Sequence, residues 1–387
     1  MSAPLYFDYH ATTPADPRVV ELMLPFFTER FGNPASRNHA FGWAAAEAVE
    51  TARGEVAALV GAPARDVVFT SGATESNNMV VRGVARALRA RGRHVVTVAT
   101  EHPSVVDTCR ALEADGAAVT VLPVAPDGLI DLAQLEGALR PDTILVSVMA
   151  ANNEIGVLQP LEAIGELTRA RGILLHSDAS QAVGKVPFDV GRFKVDLASF
   201  TAHKMYGPKG VGALYVRRHS VDLPPLVIGG GQERGLRSGT LNVPGIVGFG
   251  KAAALARAEG PAEAARLGRL RDRLLAGLRA GVPGLQVNGS LDRRLPHNLN
   301  VSIGGIEPEL LAMSMGDIAV SAGAACGTGK PTPSRVLTAI GVPPDLALAS
   351  IRFGLGRWTT DDEVQQVIDR VTQIVAGLRR MRAEITK

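Results

Sequence analysis

Two residues of opposite charge each follow an apolar run, so a parallel sheet would place both at the same edge. Asp178 ends the apolar run 173–177, and Lys204 follows the run 195–200. Ligand groups in open α/β sheets bind at the carboxyl ends of strands. A pyridoxal phosphate enzyme needs such a pair, because the lysine forms the Schiff base and the carboxylate keeps the ring nitrogen protonated. Taken alone, the two residues are better explained as a solvated surface lysine and a helix-capping or loop acid.

A phosphate-bearing ligand would also need a cradle, and the stretch Thr70-Ser71-Gly72-Ala73-Thr74 has the right composition. Small residues at the start of a helix leave backbone N–H groups free to bind an anion. Ser, Gly and Thr are ordinary helix caps as well. Neither a Walker loop nor a GxGxxG fingerprint follows any predicted strand, which disfavours a nucleotide site.

The elements that would position these residues alternate along the first 250 residues. Helices are predicted over 43–60, ending before Gly61, and over 161–171. Short apolar strands alternating with helices are typical of a mainly parallel sheet covered on both faces, so the sequence predicts an α/β fold. The predicted strands are 66–69, 94–99, 118–123, 143–149, 173–176 and 195–200.

The pattern changes near residue 250. A helical segment over 251–280 is interrupted by Gly260-Pro261, and a last helix opens at Thr360 with a capping-box pattern. We therefore predict a large α/β domain over 16–255, with 1–15 and 256–387 forming a smaller α+β domain. The strands predicted in this second half are 297–303, 318–320 and 350–353.

One stretch of the sequence closely matches a motif of a known enzyme family. Thr201-Ala202-His203-Lys204-Met205-Tyr206-Gly207-Pro208-Lys209-Gly210 closely resembles the lysine motif of the cysteine desulfurases, pyridoxal phosphate enzymes of the aminotransferase fold in class V. The resemblance covers residues 5 to 375 and implies the PLP-dependent transferase fold. The other matching stretches, in family order, are Tyr6–Pro14, Gly32–Pro34, Ser71–Asn77, Glu101-His102, Asn152–Gly156, Asp178–Gln181, Arg234–Leu241 and Ser350–Gly356.

The resemblance assigns a role around the cofactor ring to each matching position. It implies that Lys204 is the Schiff-base lysine, that Asp178 is the partner of the pyridinium nitrogen, and that Gln181 donates to the phenolic oxygen of pyridoxal 5'-phosphate. His102 corresponds to the histidine stacked on the ring, where an imidazole could also move protons. Asn153 matches the asparagine near the cofactor oxygen and the substrate.

Further positions match groups that contact the phosphate, the substrate and the neighbouring subunit. Arg352 resembles the arginine that holds the substrate carboxylate, a task suited to a bidentate guanidinium. Thr240 matches a residue that reaches the phosphate of the neighbouring subunit, which implies a homodimer with shared sites. The positions that match phosphate contacts are Ala73, Thr74, Thr201 and His203.

The chain has only two cysteines, and they receive different predictions. Cys326 lies in the glycine-rich stretch 323–329, which predicts an accessible loop, and it aligns with the sulfur-accepting nucleophile of the family. Cys109 lies in a predicted helix over 104–114 and is interpreted as a packing residue. Two cysteines exclude a disulfide-stapled domain, and no Cys/His spacing predicts a metal site.

The resemblance implies a reaction and leaves its acceptor open. L-cysteine would become L-alanine, with the sulfur passing to Cys326 as a persulfide for iron–sulfur cluster assembly or tRNA thiolation. The stretch 327–334 and Ala150 depart from the housekeeping branch, so the resemblance leaves the acceptor open between an iron–sulfur scaffold and another sulfur carrier. The alternatives are a selenocysteine lyase, another class V activity, or a non-catalytic protein that retains the fold.

Composition and hydropathy bear on whether the protein binds nucleic acid, spans a membrane or is exported. The 387 residues carry a net charge of only +3, which does not indicate direct binding to nucleic acid. No apolar stretch approaches the ~18 residues needed to span a bilayer, and the N-terminus lacks the pattern of a signal peptide. We therefore expect a cytoplasmic protein without a membrane segment.

Overall fold

The computed structural model describes residues 4–322, 324–325 and 332–385. The strands are β1 (Leu5–Tyr6), β2 (Val67–Thr70), β3 (His94–Val98), β4 (Ala118–Leu122), β5 (Thr143–Ser147), β6 (Leu174–Asp178), β7 (Leu197–Thr201), β8 (Gly212–Val216), β9 (Leu285–Val287), β10 (Asn298–Ile303), β11 (Ile318–Ala319), β12 (Ser321–Ala322), β13 (Ala324–Ala325), β14 (Thr332–Pro333) and β15 (Ser350–Gly354). The α-helices are α1 (Pro17–Met23), α2 (Pro25–Thr28), α3 (Ala40–Leu59), α4 (Ala73–Ala87), α5 (Pro103–Ala114), α6 (Leu132–Ala138), α7 (Leu161–Ala170), α8 (Val243–Gly281), α9 (Pro308–Ser314), α10 (Arg335–Ala339), α11 (Pro344–Leu348) and α12 (Asp361–Ile385).

A seven-stranded sheet with the order β2-β8-β7-β6-β5-β3-β4 forms the centre of the first half. Strands β3 to β7 pair in parallel, while β8 runs antiparallel to both of its neighbours. The inner strands are buried along their whole length, which explains their continuous apolar sequences. Two apolar clusters cover the faces of this sheet. The predicted α/β fold with a mainly parallel sheet is confirmed.

A four-stranded antiparallel sheet with the order β12-β15-β10-β9 follows in the second half. It packs with α12 and the end of α8 around its own apolar cluster. Helix α12 begins as predicted, because Glu363 N–H donates to Thr360 Oγ1 and the Glu363 carboxylate accepts from Thr360 N–H. The predicted domain boundary at residue 255 lies inside α8, and the division into 16–255 and the remainder stays a prediction.

The predicted interruption at Gly260-Pro261 is wrong. Helix α8 continues from Val243 to Gly281 with Pro261 inside it. Its first half packs through Ile246 and Phe249 into the core of the large sheet. Its second half packs through residues such as Leu270 into the core of the small sheet. Burial at both ends outweighs the cost of about 3 kcal/mol for one proline in a helix.

The segment Leu5–Asp16 connects the two sheets. Strand β1 pairs with β11, and Asp8 forms a bridge with Gly354 on β15. Farther along, the N–H of Thr13 donates to the carbonyl of His203 at 3.0 Å. This segment therefore lies between the small sheet and the loop that carries Lys204. Among the residues placed by the structure, no helix combines the length and apolar character that crossing a membrane requires.

Candidate active site

A cavity of about 550 Å³ opens at the carboxyl ends of the parallel strands. Ten of the predicted site residues line it, from both halves of the chain: Ala73, Thr74, His102, Asn153, Asp178, Gln181, Thr201, His203, Lys204 and Arg352. Thr240 is exposed and does not line this cavity. Cys326 lies outside the described residues. The structure thus gathers side chains separated by up to 279 positions (352 − 73) into one site.

Lys204 ends a short 3₁₀ turn that follows β7. Its Nζ donates to the carbonyl of Ala11 at 2.7 Å and to that of His10. Burial lowers the pKa of Lys204 to about 8, and the nearby charge of Arg352 acts in the same direction. A large share of this amine is therefore neutral near physiological pH, the form that acts as a nucleophile.

Asp178, the last residue of β6, is held by two donors. One carboxylate oxygen accepts from Ser180 N–H at 3.0 Å and the other from Asn77 Nδ2 at 2.8 Å. Sequence reasoning did not single out Asn77, although it ends the matching stretch 71–77. Its position on α4, one turn after Ala73, is the signal that could have revealed it, since Ala73 and Asn77 share one helix face.

The first turn of α4 points into the cavity without a capping side chain at Gly72. Its backbone N–H groups are therefore available to an anion. Behind this turn, Glu75 accepts from Ser71 N–H at 2.7 Å and from Arg237 Nε at 2.9 Å, which fixes the loop. On the opposite wall, His203 Nδ1 lies 3.1 Å from Thr12 Oγ1, a residue absent from the predicted set.

His102 is the N-cap residue of α5, followed by Pro103 at the first helical position. Its Nδ1 accepts from Ser104 N–H at 3.1 Å. The neutral ring therefore carries its proton on Nε2. Burial lowers the pKa of His102, so the neutral form dominates near pH 7.

Arg352 enters the cavity from β15 of the small sheet. Its guanidinium donates to Asp8 Oδ1 at 2.7 Å, to Ser321 Oγ at 2.6 Å and to the carbonyl of Asn153 at 2.7 Å. The Nε atom is buried and has no partner. Asp8 and Ser321 were not predicted, and they hold the arginine in place while leaving two donors, the Nε–H and one Nη1 N–H, for further acceptors.

These residues match the demands of a phosphorylated pyridine aldehyde. The cavity offers an uncapped helix start for the phosphate, a carboxylate for a ring nitrogen and an amine for an aldehyde. The hydroxyl of Ser180, which also lines the cavity, is buried without a partner. An unsatisfied buried hydroxyl costs free energy unless a ligand supplies the missing hydrogen bond.

Comparison with known proteins settles the family. Residues 5–367 match the family Aminotransferase class-V. The chain belongs to this family. It is 60% identical to "Cysteine desulfurase IscS" of Anaeromyxobacter sp. (strain Fw109-5) over 382 residues, which cover 98% of this chain and 95% of that one. The protein of the same name from Methylococcus capsulatus (strain ATCC 33009 / NCIMB 11132 / Bath) is 54% identical, with coverage of 98% and 94%.

Solved structures agree with the sequence relatives. A "NifS-like protein" superimposes with a TM-score of 0.91 at 39% identity, covering 97% of this class V chain and 100% of the other. The NifS-like protein from Rickettsia africae ESF-5 gives 0.85 at 30% identity, with coverage of 96% and 99%. The predicted resemblance, the transferase fold and pyridoxal 5'-phosphate as the cofactor are confirmed. The roles of the individual residues stay predictions.

Proposed function

We propose that this chain is a cysteine desulfurase, which converts L-cysteine to L-alanine and transfers the sulfur to Cys326 as a persulfide. The observation that carries this proposal is the meeting of Lys204, Asp178 and Arg352 in one cavity of a class V chain. The relatives named cysteine desulfurase cover almost the whole chain, which supports the same activity here. Bound pyridoxal 5'-phosphate supplies an electron sink for the carbanion formed at the substrate α-carbon.

The substrate carboxylate is assigned to Arg352. Two N–H groups of this side chain, on Nε and on Nη1, have no acceptor among the described residues, and they can donate charge-assisted hydrogen bonds to a carboxylate. The carbonyl of Asn153 and the carboxylate of Asp8 fix the plane of the guanidinium before substrate binds. This preorganisation reduces the entropy lost on binding. The side chain of Asn153 lines the same cavity and is assigned to substrate and cofactor binding.

Proton transfer is assigned to Lys204 and His102. The lysine has a lowered pKa of about 8, so it can exchange a proton near neutral pH. His102 presents its Nε2–H because Ser104 occupies Nδ1. The carboxylate of Asp178, held by Asn77 and Ser180, is assigned to the ring nitrogen.

The sulfur step balances without an added oxidant. The Cys326 thiolate attacks the substrate sulfur, an S–S bond forms and the substrate Cβ–S bond breaks. The bonding electrons remain with the alanine fragment, which takes up a proton at Cβ. The net change converts a thiol and L-cysteine into a persulfide and L-alanine.

Mass spectrometry of the peptide containing Cys326, after incubation with L-cysteine, tests the proposal. The peptide is expected to gain one sulfur atom, and Cys326→Ser is expected to lose persulfide formation while keeping the cofactor absorbance. Cys109→Ser serves as the matched control, because this thiol is buried in α5 and burial raises its pKa to about 12. Undiminished sulfide release by Cys326→Ser would contradict the assignment of the nucleophile.

We also propose that two copies form the active unit. Thr240 is exposed and away from the cavity of its own chain, as expected for a residue that reaches a neighbouring site. A group of apolar side chains on the N-terminal helices and the segments that connect them is exposed as well, and such a surface indicates a protein contact. Its members are Leu24, Phe27, Phe31, Phe41 and Trp43.

Mixed dimers test the shared site. Thr240→Glu would place a negative charge beside the cofactor phosphate of the partner, and Lys204→Ala removes the amine. Each variant alone is expected to be inactive, whereas a mixture that exchanges subunits regains one working site per mixed dimer. No recovery in mixtures shown by mass to exchange subunits would contradict the shared site.

The sulfur acceptor is proposed to be an iron–sulfur scaffold, in keeping with the IscS name of the relatives, with tRNA thiolation as the alternative destination. We place the reaction in the cytoplasm. Transfer of labelled sulfur from the Cys326 persulfide to a purified scaffold or to a thiolation carrier distinguishes the two destinations.

A further inference from the structure

A buried polar group connects Gln181 with the small sheet, and its other members have no role in the proposed mechanism. It consists of Arg294, Asn298, His10 and Gln181, each at most 6% exposed. Consecutive members lie within hydrogen-bond distance, at 3.2 Å, 3.0 Å and 3.0 Å. Of these four residues, His10 and Gln181 line the cavity, and the other two do not. The direction of each hydrogen bond in this group follows from Arg294, because a guanidinium can only donate.

Arg294 sets the orientation of Asn298. A guanidinium has donors and no acceptor, so Arg294 Nη1 must donate to the amide oxygen of Asn298. The amide nitrogen of Asn298 then faces the other way, and it donates to the backbone carbonyl of Glu154 at 3.1 Å. A carbonyl can only accept, so both neighbours require the same orientation. Gly156 leaves room for this amide, because a Cβ there would lie 2.4 Å from Asn298 Cγ.

Asn298 in turn sets the tautomer of His10. Its Nδ2 donates to His10 Nε2 at 3.0 Å, so that ring nitrogen accepts. Burial lowers the pKa of His10 well below its ordinary value, which keeps the ring neutral with one proton. The proton therefore lies on Nδ1, the atom 3.0 Å from the amide oxygen of Gln181.

We propose that His10 is a positioning residue, which acts with Arg294 and Asn298 to hold the Gln181 amide with its nitrogen toward the cofactor. His10 Nδ1–H donates to Gln181 Oε1, and Gln181 Nε2 returns one hydrogen bond to the His10 carbonyl at 3.0 Å. The second N–H of that nitrogen is left for the cavity. If the Gln181 amide were reversed, its oxygen would face the His10 carbonyl, which is also an acceptor. Its nitrogen would face His10 Nδ1–H, which is also a donor.

This inference rests on the proposed function and on the role that the family resemblance implies for Gln181, a donor to the phenolic oxygen of the cofactor. A donor at that oxygen stabilises its negative charge and lowers the pKa at which the bound chromophore loses its proton. A Gln181 amide that can turn over would present an oxygen there for part of the time. The orientation of Gln181 can therefore be measured from the absorbance of the holoenzyme as a function of pH, without measuring activity.

Substitutions at residue 10 test the inference by spectrophotometric titration of the holoenzyme. His10→Leu removes the donor and is expected to raise the pKa of the chromophore by about one unit or more. His10→Asn can place an amide N–H where Nδ1 was and is expected to titrate like the wild type. Asn298→Ala, which frees the tautomer of His10, is expected to shift the titration in the same direction as His10→Leu.

His297→Leu is the matched control. This ring stacks on His10 with centroids 4.4 Å apart, and its Nδ1 has no hydrogen-bond partner among the described residues. It therefore packs against the buried polar group without being part of its hydrogen bonds. It is expected to leave the titration unchanged. A wild-type titration for His10→Leu, or equal shifts for His10→Leu and His10→Asn, would overturn the inference. A wild-type protein that takes up no cofactor would instead overturn the proposed function.

Discussion

The pKa of Lys204 determines the pH at which the apoenzyme is expected to bind pyridoxal 5'-phosphate covalently. Only the neutral amine can attack the aldehyde of the cofactor. Burial lowers the pKa of this lysine from 10.5 to about 8, and Arg352 contributes in the same direction. Because the folded-state pKa is lowered, the reactive form increases as the pH rises through about 8 and not through 10.5.

The size of the effect follows from the two pKa values. At about pH 7.5, a lysine of pKa about 8 is roughly one quarter neutral, whereas an ordinary lysine is neutral in roughly one molecule in a thousand. The site is therefore expected to react roughly 200-fold faster than an unperturbed amine of equal nucleophilicity. The rate of absorbance change after mixing apoenzyme with cofactor, measured from about pH 6 to about pH 10, gives the midpoint.

Two substitutions should move this midpoint in opposite directions. Arg352→Gln removes a positive charge that lowers the pKa of Lys204, so the midpoint is expected to rise. Asp8→Asn removes a negative charge that raises it, so the midpoint is expected to fall. Arg335→Gln is the matched control, since Arg335 contacts the backbone of Glu101 and is not among the causes of the Lys204 shift.

A wild-type midpoint near the ordinary lysine value would refute this reasoning. So would shifts of the same sign for Arg352→Gln and Asp8→Asn, because these two residues form one ion pair and a common structural loss would move both alike. Thermal unfolding of each apoenzyme checks that the fold is retained.

Three predictions concern stability. Glu233→Gln removes the buried one of the two carboxylates that pair with the Arg53 guanidinium, leaving only the exposed Glu50, and is expected to cost about 3 kcal/mol or more in urea unfolding. Gly250→Ala would place a Cβ 2.5 Å from the backbone of α3 and is expected to cost about 1–3 kcal/mol, whereas Gly54→Ala, which meets nothing within 4 Å, should be neutral or stabilising. The pKa of Asp16 is held below its usual range, chiefly by a hydrogen bond from an arginine side chain of α1, so its contribution exists above the unfolded pKa and is lost as the pH falls. Asp16→Asn should therefore lower the unfolding temperature more at about pH 7 than at about pH 3.

The ends of the parallel strands were predictable from local sequence. The carboxyl ends of β6 and β7 place Asp178 and Lys204 at one edge of the sheet, because buried parallel strands have continuous apolar sequences and their ends coincide. The uncapped start of α4 was predictable in the same way, from small residues after a strand. These features depend on neighbours within a few residues.

The residues that hold Asp178 and Arg352 in place were not predictable by such reasoning. Asn77 donates to Asp178 across 101 positions, and Asp8 pairs with Arg352 across 344. Contacts at this separation depend on how the two sheets pack. That packing cannot be inferred from composition or periodicity. The uninterrupted course of α8 has the same origin, since its proline is tolerated only because both halves of the helix are buried in separate cores.

The segment from Asp8 to Thr13 explains why a site built from two sheets can act as one unit. Asp8 pairs with Arg352 on the small sheet, while the carbonyls of His10 and Ala11 accept from Lys204 on the large one. The N–H of Thr13 then fixes the same loop through His203. A displacement of the small sheet would thus move Arg352 and Lys204 together through one short stretch of backbone. This stretch therefore fixes the separation of Arg352 and Lys204, so the N-terminal residues belong to the site and not only to the core.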